Sequence, residues 1–172
     1  MLGALIGRPK ALSWRLVLAV GTIAPDIRAV TTGGSTFVLS EQEGLCTVVY
    51  FYPKAFTPVC SAETKRFTDN YAEIALAGAT IVGISTDDGT TQCRFAQAMK
   101  TPYPLIGDHD KSIARAWDVL WPILGLAQRV TYVVAPSRRV LAAVHHELIG
   151  VERHRDDVLR LVHERLEATR AH

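Results

Sequence analysis

The chain has 172 residues and a mass of 18.9 kDa, with 48% apolar and 21% charged residues. That is one domain, long enough to bury its own core, and the composition excludes a disordered or low-complexity chain. The net charge of +2 is spread along the sequence with no basic block beside aromatics, which argues against nucleic-acid binding. Three cysteines, Cys46, Cys60 and Cys93, are too few for a secreted disulfide scaffold. They form no CxxC pair and no tight Cys/His set for structural zinc.

Residues 1–18 are apolar but carry Arg8, Lys10 and Arg15. The uncharged runs are too short to span a bilayer, and Arg15 interrupts a signal-peptide core. They read as an N-terminal extension, a short amphipathic helix or a frayed start, ahead of a single domain over 19–172. The expected location is the cytoplasm.

Strands and helices alternate from Val20 onward. Ala24-Pro25-Asp26 is a loop, because proline pushes its predecessor to extended geometry. Thr36–Leu39 reads as a short strand, and Thr32-Gly-Gly-Ser35 before it as a turn. Thr47–Tyr52 is apolar, β-branched and aromatic between Gly44 and Pro53, the pattern of a buried central strand. A helix is predicted from Pro58 to Leu76, with Phe67, Tyr71 and Ile74 on one face and Gly78 as its stop. Thr80–Ser85 is a second buried strand and Thr90–Met99 a second helix, broken by Pro102 and Pro104. Leu105–Ile106 is a short strand and Asp108–Trp117 a short helix. Val130–Ala135 and Val140–His146 form a hairpin around Pro136–Arg139. Gly150 precedes a last helix, Arg153–Thr169, with Val158, Val162 and Leu166 on one face. The expectation is an α/β fold, a mixed central sheet flanked by helices.

One segment carries chemistry: Pro53-Lys-Ala-Phe-Thr57-Pro-Val-Cys60-Ser-Ala-Glu63. A strand ends at Pro53 and a helix opens at Thr57-Pro58. Threonine is a good N-cap and proline suits the first helical position. Cys60 is then the third residue of the helix, beside free backbone N–H groups and the positive end of the helix dipole. That setting stabilises negative charge on sulfur, and the thiolate is the nucleophile. It lies just past the carboxyl end of a buried strand, where α/β folds place their sites. The Thr57 hydroxyl can either cap the helix or orient Cys60 and an incoming oxygen. On this evidence alone Cys60 is as well read as a small core hydrophobe.

Pro53-x-x-x-Thr57-x-x-Cys60 resembles the PxxxTxxC signature of peroxiredoxins, thiol peroxidases with a thioredoxin fold. Ala24-Pro-Asp26, Gly83-Ile-Ser-Thr-Asp87, Pro104-Leu-Ile-Gly-Asp108 and Arg129-Val-Thr-Tyr resemble further segments of that family, over about residues 19 to 168. Tyr52-Pro-Lys-Ala-x-Thr-Pro-x-Cys-x-x-Glu63 looks most like the bacterioferritin comigratory protein, or peroxiredoxin Q, branch. The resemblance implies that Cys60 is the peroxidatic cysteine, oxidised to a sulfenic acid by hydrogen peroxide or organic hydroperoxides. It implies that Arg129 is a fixed positive charge near the sulfur, that Thr57 hydrogen-bonds the peroxide, and that Pro53 shields the site. Glu63 has either a site role or only a favourable place near a helix N-terminus. No cofactor or metal is implied, and electrons would come from a thioredoxin-like or low-molecular-weight thiol.

In that branch a resolving cysteine often follows five residues after the first, where this chain has Lys65. Cys93 on the next helix is the candidate resolving cysteine. The alternative is a one-cysteine enzyme reduced by an external thiol. Cys46, at the far end of the central strand, reads as structural. Trp117, Leu120, Trp121 and Ile123 read as core or subunit contact, with a surface for lipid hydroperoxides as the alternative. His145 and His146 point to opposite strand faces and read as solvent or core residues. The expected assembly is a monomer or homodimer without a membrane span. A peroxide-sensing switch on the same fold is the rival reading. A thiol–disulfide oxidoreductase is disfavoured because Thr57 stands where the first cysteine of its CxxC would fall.

Overall fold

The computed structural model describes residues 17–145, 160–164 and 167–168. The 1–18 extension therefore lies outside the described residues except for Val17 and Leu18. These two pack on the core, and the Leu18 N–H donates to the Tyr132 hydroxyl at 3.2 Å. His146, Gly150 and most of the Arg153–Thr169 helix also fall outside, but residues 160–164 are helical and Val162 is buried.

A two-stranded antiparallel ribbon comes first, β1 (Arg28–Val30) with β2 (Thr36–Val38), turning at Thr32–Ser35. The predicted strand ends at Val38 because Leu39–Glu41 wind into a 3-10 turn. The central sheet comprises β3 (Cys46–Phe51), β4 (Ala79–Ser85), β5 (Leu105–Gly107), β6 (Val130–Val134) and β7 (Val140–His145), in the order β5-β4-β3-β6-β7. Neighbours β3, β4 and β5 run parallel, while β6 and β7 are antiparallel. The sheet is thus mixed, as the alternation of elements predicts.

Side chains along β3 alternate between the two faces. Val48, Tyr50 and Tyr52 join one buried cluster with Cys60, Phe67, Ile74 and Phe95. Val49 and Phe51 join the other, with Val82, Ile84, Trp117 and Tyr132. A strand buried on both faces has no polar side, which explains its continuous apolar run. Gly83 in β4 is required by this packing. A Cβ there would lie 2.5 Å from the Tyr50 ring and 2.6 Å from the Leu105 side chain.

The long predicted helix is two helices, α1 (Pro58–Asp69) and α2 (Tyr71–Leu76). Asn70 interrupts them with φ −106° and ψ 7°, and its side-chain amide donates back to the Arg66 carbonyl at 2.8 Å. Asparagine competes for backbone groups in this way, and the apolar stripe continues across the break and hides it. The helix after β4 is α3 (Gly89–Met99), capped by Asp88, whose carboxylate accepts the Thr91 N–H at 2.7 Å. The next, α4 (Ser112–Ala116), is shorter than predicted. Asp108 stands outside it and accepts the Ile113 and Ala114 N–H groups at 3.1 and 2.7 Å.

Replacing Gly83 by alanine should lower stability by about 1–3 kcal/mol through overpacking against Tyr50 and Leu105. Gly89→Ala, at a position with nothing within 4 Å of the new Cβ, should change it by less than about 0.5 kcal/mol. Urea unfolding of the two variants checks the contrast.

Candidate active site

β3 ends at Phe51 and α1 begins at Pro58, so residues 52–57 cross from the carboxyl end of the central strand to the helix. Thr57 is the N-cap residue in extended geometry, φ −75° and ψ 149°, and Pro58 is the first helical residue. Cys60 is therefore the third residue of α1, as the spacing predicts. The Thr57 hydroxyl does not cap the helix; it donates to the Lys54 carbonyl at 3.0 Å. Its oxygen lone pairs stay available to a ligand's O–H. Phe56 takes φ +63°, a left-handed conformation that L side chains rarely adopt. Its ring packs edge-on to Phe95 at 5.1 Å.

The loop is tied down from β4 and α3. The Ala55 N–H donates to Asp87 Oδ2 at 2.7 Å, and the Ser85 hydroxyl donates to the same oxygen at 2.7 Å. The Tyr52 hydroxyl donates to Gln92 Oε1 at 2.6 Å. Pro53, between these ties, is half-buried.

Sheet register brings Arg129 to Cys60 from far along the chain. β6 begins opposite the last residue of β3, with Val130 across from Phe51. Arg129, one residue earlier, therefore stands at the carboxyl end of β3, where the Cys60 loop starts. Its Nη2 donates to Cys60 Sγ at 3.1 Å and its Nη1 donates to Glu63 Oε2. Cys60 is 1% exposed, Glu63 2% and Arg129 9%. Read alone as a surface cation, Arg129 would have been misjudged; it is the buried hub of the site.

Glu63 lies one helical turn beyond Cys60, so both reach one guanidinium from the same face of α1. Its two open readings resolve to a contact in the site. Burial pushes its carboxyl up to about 7, against the opposing pull of Arg129. Burial works against charge on Arg129 as well, but Glu63 and the Cys60 sulfur more than offset it and raise its affinity for the proton. Thr64 continues the same face, and the Tyr103 hydroxyl donates to its carbonyl at 3.0 Å.

The other thiols are elsewhere. Cys46 opens β3 and is buried at the end of the strand remote from the loop. Cys93, partly exposed on α3, points its sulfur at the Thr32 carbonyl, 3.8 Å away. It lines a cleft of about 630 Å³ with Thr32, Ser35, Lys100, Tyr103 and Pro104. Lys65 is exposed and paired with Asp69 at 3.0 Å. The apolar stretch before Arg129 divides: Trp117 is fully buried and Leu120 half-buried, whereas Trp121 and Ile123 stand 48% and 92% exposed. A core role holds only for the first two, because the Trp121–Gly125 turn carries the others away from the sheet.

The profile of the AhpC/TSA family matches residues 20–143. The chain belongs to that family. It is a peroxiredoxin, and its relatives place it in the peroxiredoxin Q branch. The chloroplastic peroxiredoxin Q of Populus jackii is 34% identical over 143 residues, covering 83% of this chain and 67% of the relative. That of Suaeda salsa is 33% identical over 157 residues, covering 90% of this chain and 73% of the relative. Among solved structures, peroxidoxin BcpB from Mycobacterium tuberculosis superposes with a TM-score of 0.78 at 32% identity, over 84% of this chain and 96% of that one. Peroxiredoxin Q of Xanthomonas campestris does so with 0.73 at 29% identity, over 81% and 91%. The protein is thus a thiol peroxidase on a thioredoxin fold. No helix among the described residues of this peroxiredoxin is long and apolar enough to cross a membrane.

A carboxyl held at about 7 in the fold, against its ordinary 4.5, favours the folded state while protonated. That stability is fully present below pH 4.5 and is lost as pH rises through about 7. In urea titrations, the stability of the wild type should fall relative to Glu63→Gln by up to about 3 kcal/mol between pH 4.5 and 7.5. Parallel curves for the two proteins would contradict the assignment.

Proposed function

We propose that Cys60 is the peroxidatic cysteine, and that the 3.1 Å contact from Arg129 Nη2 to its sulfur is the observation that carries this reading. A sulfur lone pair attacks the terminal oxygen of a hydroperoxide. The S–O bond forms as the O–O bond breaks, and the departing oxygen takes up a proton and leaves as water or an alcohol. Cys60 is left as a sulfenic acid. Negative charge moves from sulfur to the departing oxygen, and a guanidinium with several donors can follow it. The Thr57 oxygen is free to accept from the peroxide, and Pro53 limits the space around the sulfur. Hydrogen peroxide and organic hydroperoxides are the substrate class.

Recycling needs two electrons. Cys93 is the proposed resolving thiol: its sulfhydryl condenses with the sulfenic acid, forming the S–S bond and releasing water. A thioredoxin-like protein or a small thiol then reduces the disulfide. Support comes from the packing of α3 against the Cys60 loop through Gln92 and Phe95. Arg129 and Glu63 reach the Cys60 region from its own chain, which is compatible with a monomer or a homodimer. Three unlinked thiols suit a reducing compartment such as the cytoplasm.

Cys60→Ser should reduce peroxide consumption at least about a thousandfold, to the background of free thiols. A rate unchanged from wild type would defeat the peroxidase assignment of this residue. Arg129→Lys, which keeps charge but cannot bridge two acceptors, should lower the second-order rate by about one to two orders of magnitude. One equivalent of peroxide under non-reducing conditions should give a Cys60–Cys93 linked peptide by mass spectrometry. Sulfenic or sulfinic Cys60 with no linked peptide would show a one-cysteine cycle instead.

A further inference from the structure

The two proposed redox thiols face different partners. Cys60 Sγ takes a hydrogen bond from Arg129, and Cys93 Sγ points at the Thr32 carbonyl. A disulfide requires Cα atoms within about 7 Å and sulfurs directed at each other. Cys60 is 1% exposed and held in the first turn of α1. It meets a peroxide with the loop seated and can meet a second thiol only with the loop lifted. Whatever holds residues 53–57 therefore decides between the two steps.

We infer that Asp87 is the positioning residue that seats this loop, through its hydrogen bond from the Ala55 backbone N–H. Resting on the Cys60 reading, this adds a residue that touches neither sulfur nor substrate. Asp87 Oδ2 lies 2.7 Å from the Ala55 nitrogen. Its carboxylate is fixed by two contacts with Ser85: the hydroxyl donates to Oδ2 at 2.7 Å, and the Asp87 N–H donates to the hydroxyl oxygen at 3.2 Å. Gln92 Nε2 donates to that same oxygen, while Gln92 Oε1 accepts the Tyr52 hydroxyl. Ser85 and Gln92 are both fully buried. The chain Ala55–Asp87–Ser85–Gln92–Tyr52 thus starts and ends in the residues leading from β3 to Cys60, and its middle belongs to β4 and α3.

The loop needs such a tie. Phe56, next to Ala55, holds a left-handed φ of +63° that costs energy for a non-glycine residue. The Ala55 N–H is the backbone donor beside that strained residue, and a hydrogen bond to a carboxylate is stronger than one between neutral groups. The Asp87 backbone cannot readily shift to follow the loop. Gly107 packs so closely on it that a Cβ there would lie 2.8 Å from the Asp87 carbonyl. The anchor is therefore rigid, and the loop is the part that moves.

The test uses the full-length chain in a Cys93→Ser background, so that no intramolecular disulfide competes with the readouts. Two quantities are measured: the single-turnover rate of Cys60 oxidation by hydrogen peroxide, and the rate of Cys60 labelling by a bulky maleimide. Asp87→Ala should slow oxidation about tenfold and speed labelling about tenfold, as expected for losing a charge-assisted hydrogen bond. Asp87→Asn keeps a carbonyl acceptor and should restore both rates to within about threefold of the parent. Should Asp87→Ala fail to fold, Ser85→Ala removes the carboxylate's support with little change of shape and should shift both rates in the same directions. Unchanged rates in the folded variants would overturn the proposal, as would equal slowing of oxidation and labelling. Loss of Cys60-dependent peroxide consumption in the parent protein would instead overturn the underlying reading, so the two failures are distinguishable.

Discussion

A single guanidinium shared between a sulfur and a carboxyl organises this protein. Arg129 is buried, and arginine does not give up its charge, so the fold must supply acceptors for it. It supplies two, Cys60 Sγ and Glu63 Oε2, from consecutive turns of one helix. Truncating one partner of such a pair leaves an uncompensated buried charge, which costs about 3–5 kcal/mol. The three residues consequently fix one another. The start of α1, the start of β6 and the register between β3 and β6 bring the cluster together. On the proposed reading, the groups that keep Arg129 satisfied are the nucleophile and the residue beside it.

The charge balance within the cluster has a further consequence. Two acceptors compete for one cation in a site with almost no exposure, and full negative charge on both would leave an excess anion away from water. Burial pushes Glu63 up to about 7, so this carboxyl changes protonation near neutral pH.

Local signals were legible in the sequence and tertiary ones were not. The Pro53–Cys60 spacing placed Cys60 on the third position of a helix after a buried strand, and the structure agrees because both halves of that inference are local. Arg129 could be assigned only through resemblance, since nothing near residue 129 tells that its strand starts opposite Phe51. Glu63 stayed ambiguous because helical spacing puts it on the face of Cys60 without saying that this face is buried. The Asn70 break escaped notice because Phe67 and Ile74 are both buried, as one unbroken apolar stripe would require. The sequence leaves the Thr57 hydroxyl open between a cap and a site role; in the fold it does not cap the helix, because the Lys54 carbonyl accepts its hydrogen bond. Asp87 closes the Gly83–Asp87 segment that resembles the family, but that likeness carried no role for it; its place just past the carboxyl end of β4, where such folds put their sites, is the other pointer.

Residue 65 and residue 93 together define how this chain differs from the arrangement in which a second cysteine follows on the same helix. A thiol at position 65 would sit on the helix that carries Cys60. Here that position holds a solvent-exposed lysine paired with Asp69, and the available thiol belongs to α3 and faces the β1–β2 turn. On the proposed two-cysteine reading, linking it to Cys60 would mean giving up the Arg129 contact. On the proposed reading that contact holds the sulfur for attack on peroxide, so the seated loop would favour oxidation and disfavour the disulfide. The lifted loop has the opposite properties. On that reading no single geometry serves both steps, and the contacts of residues 53–57 would set the balance between them.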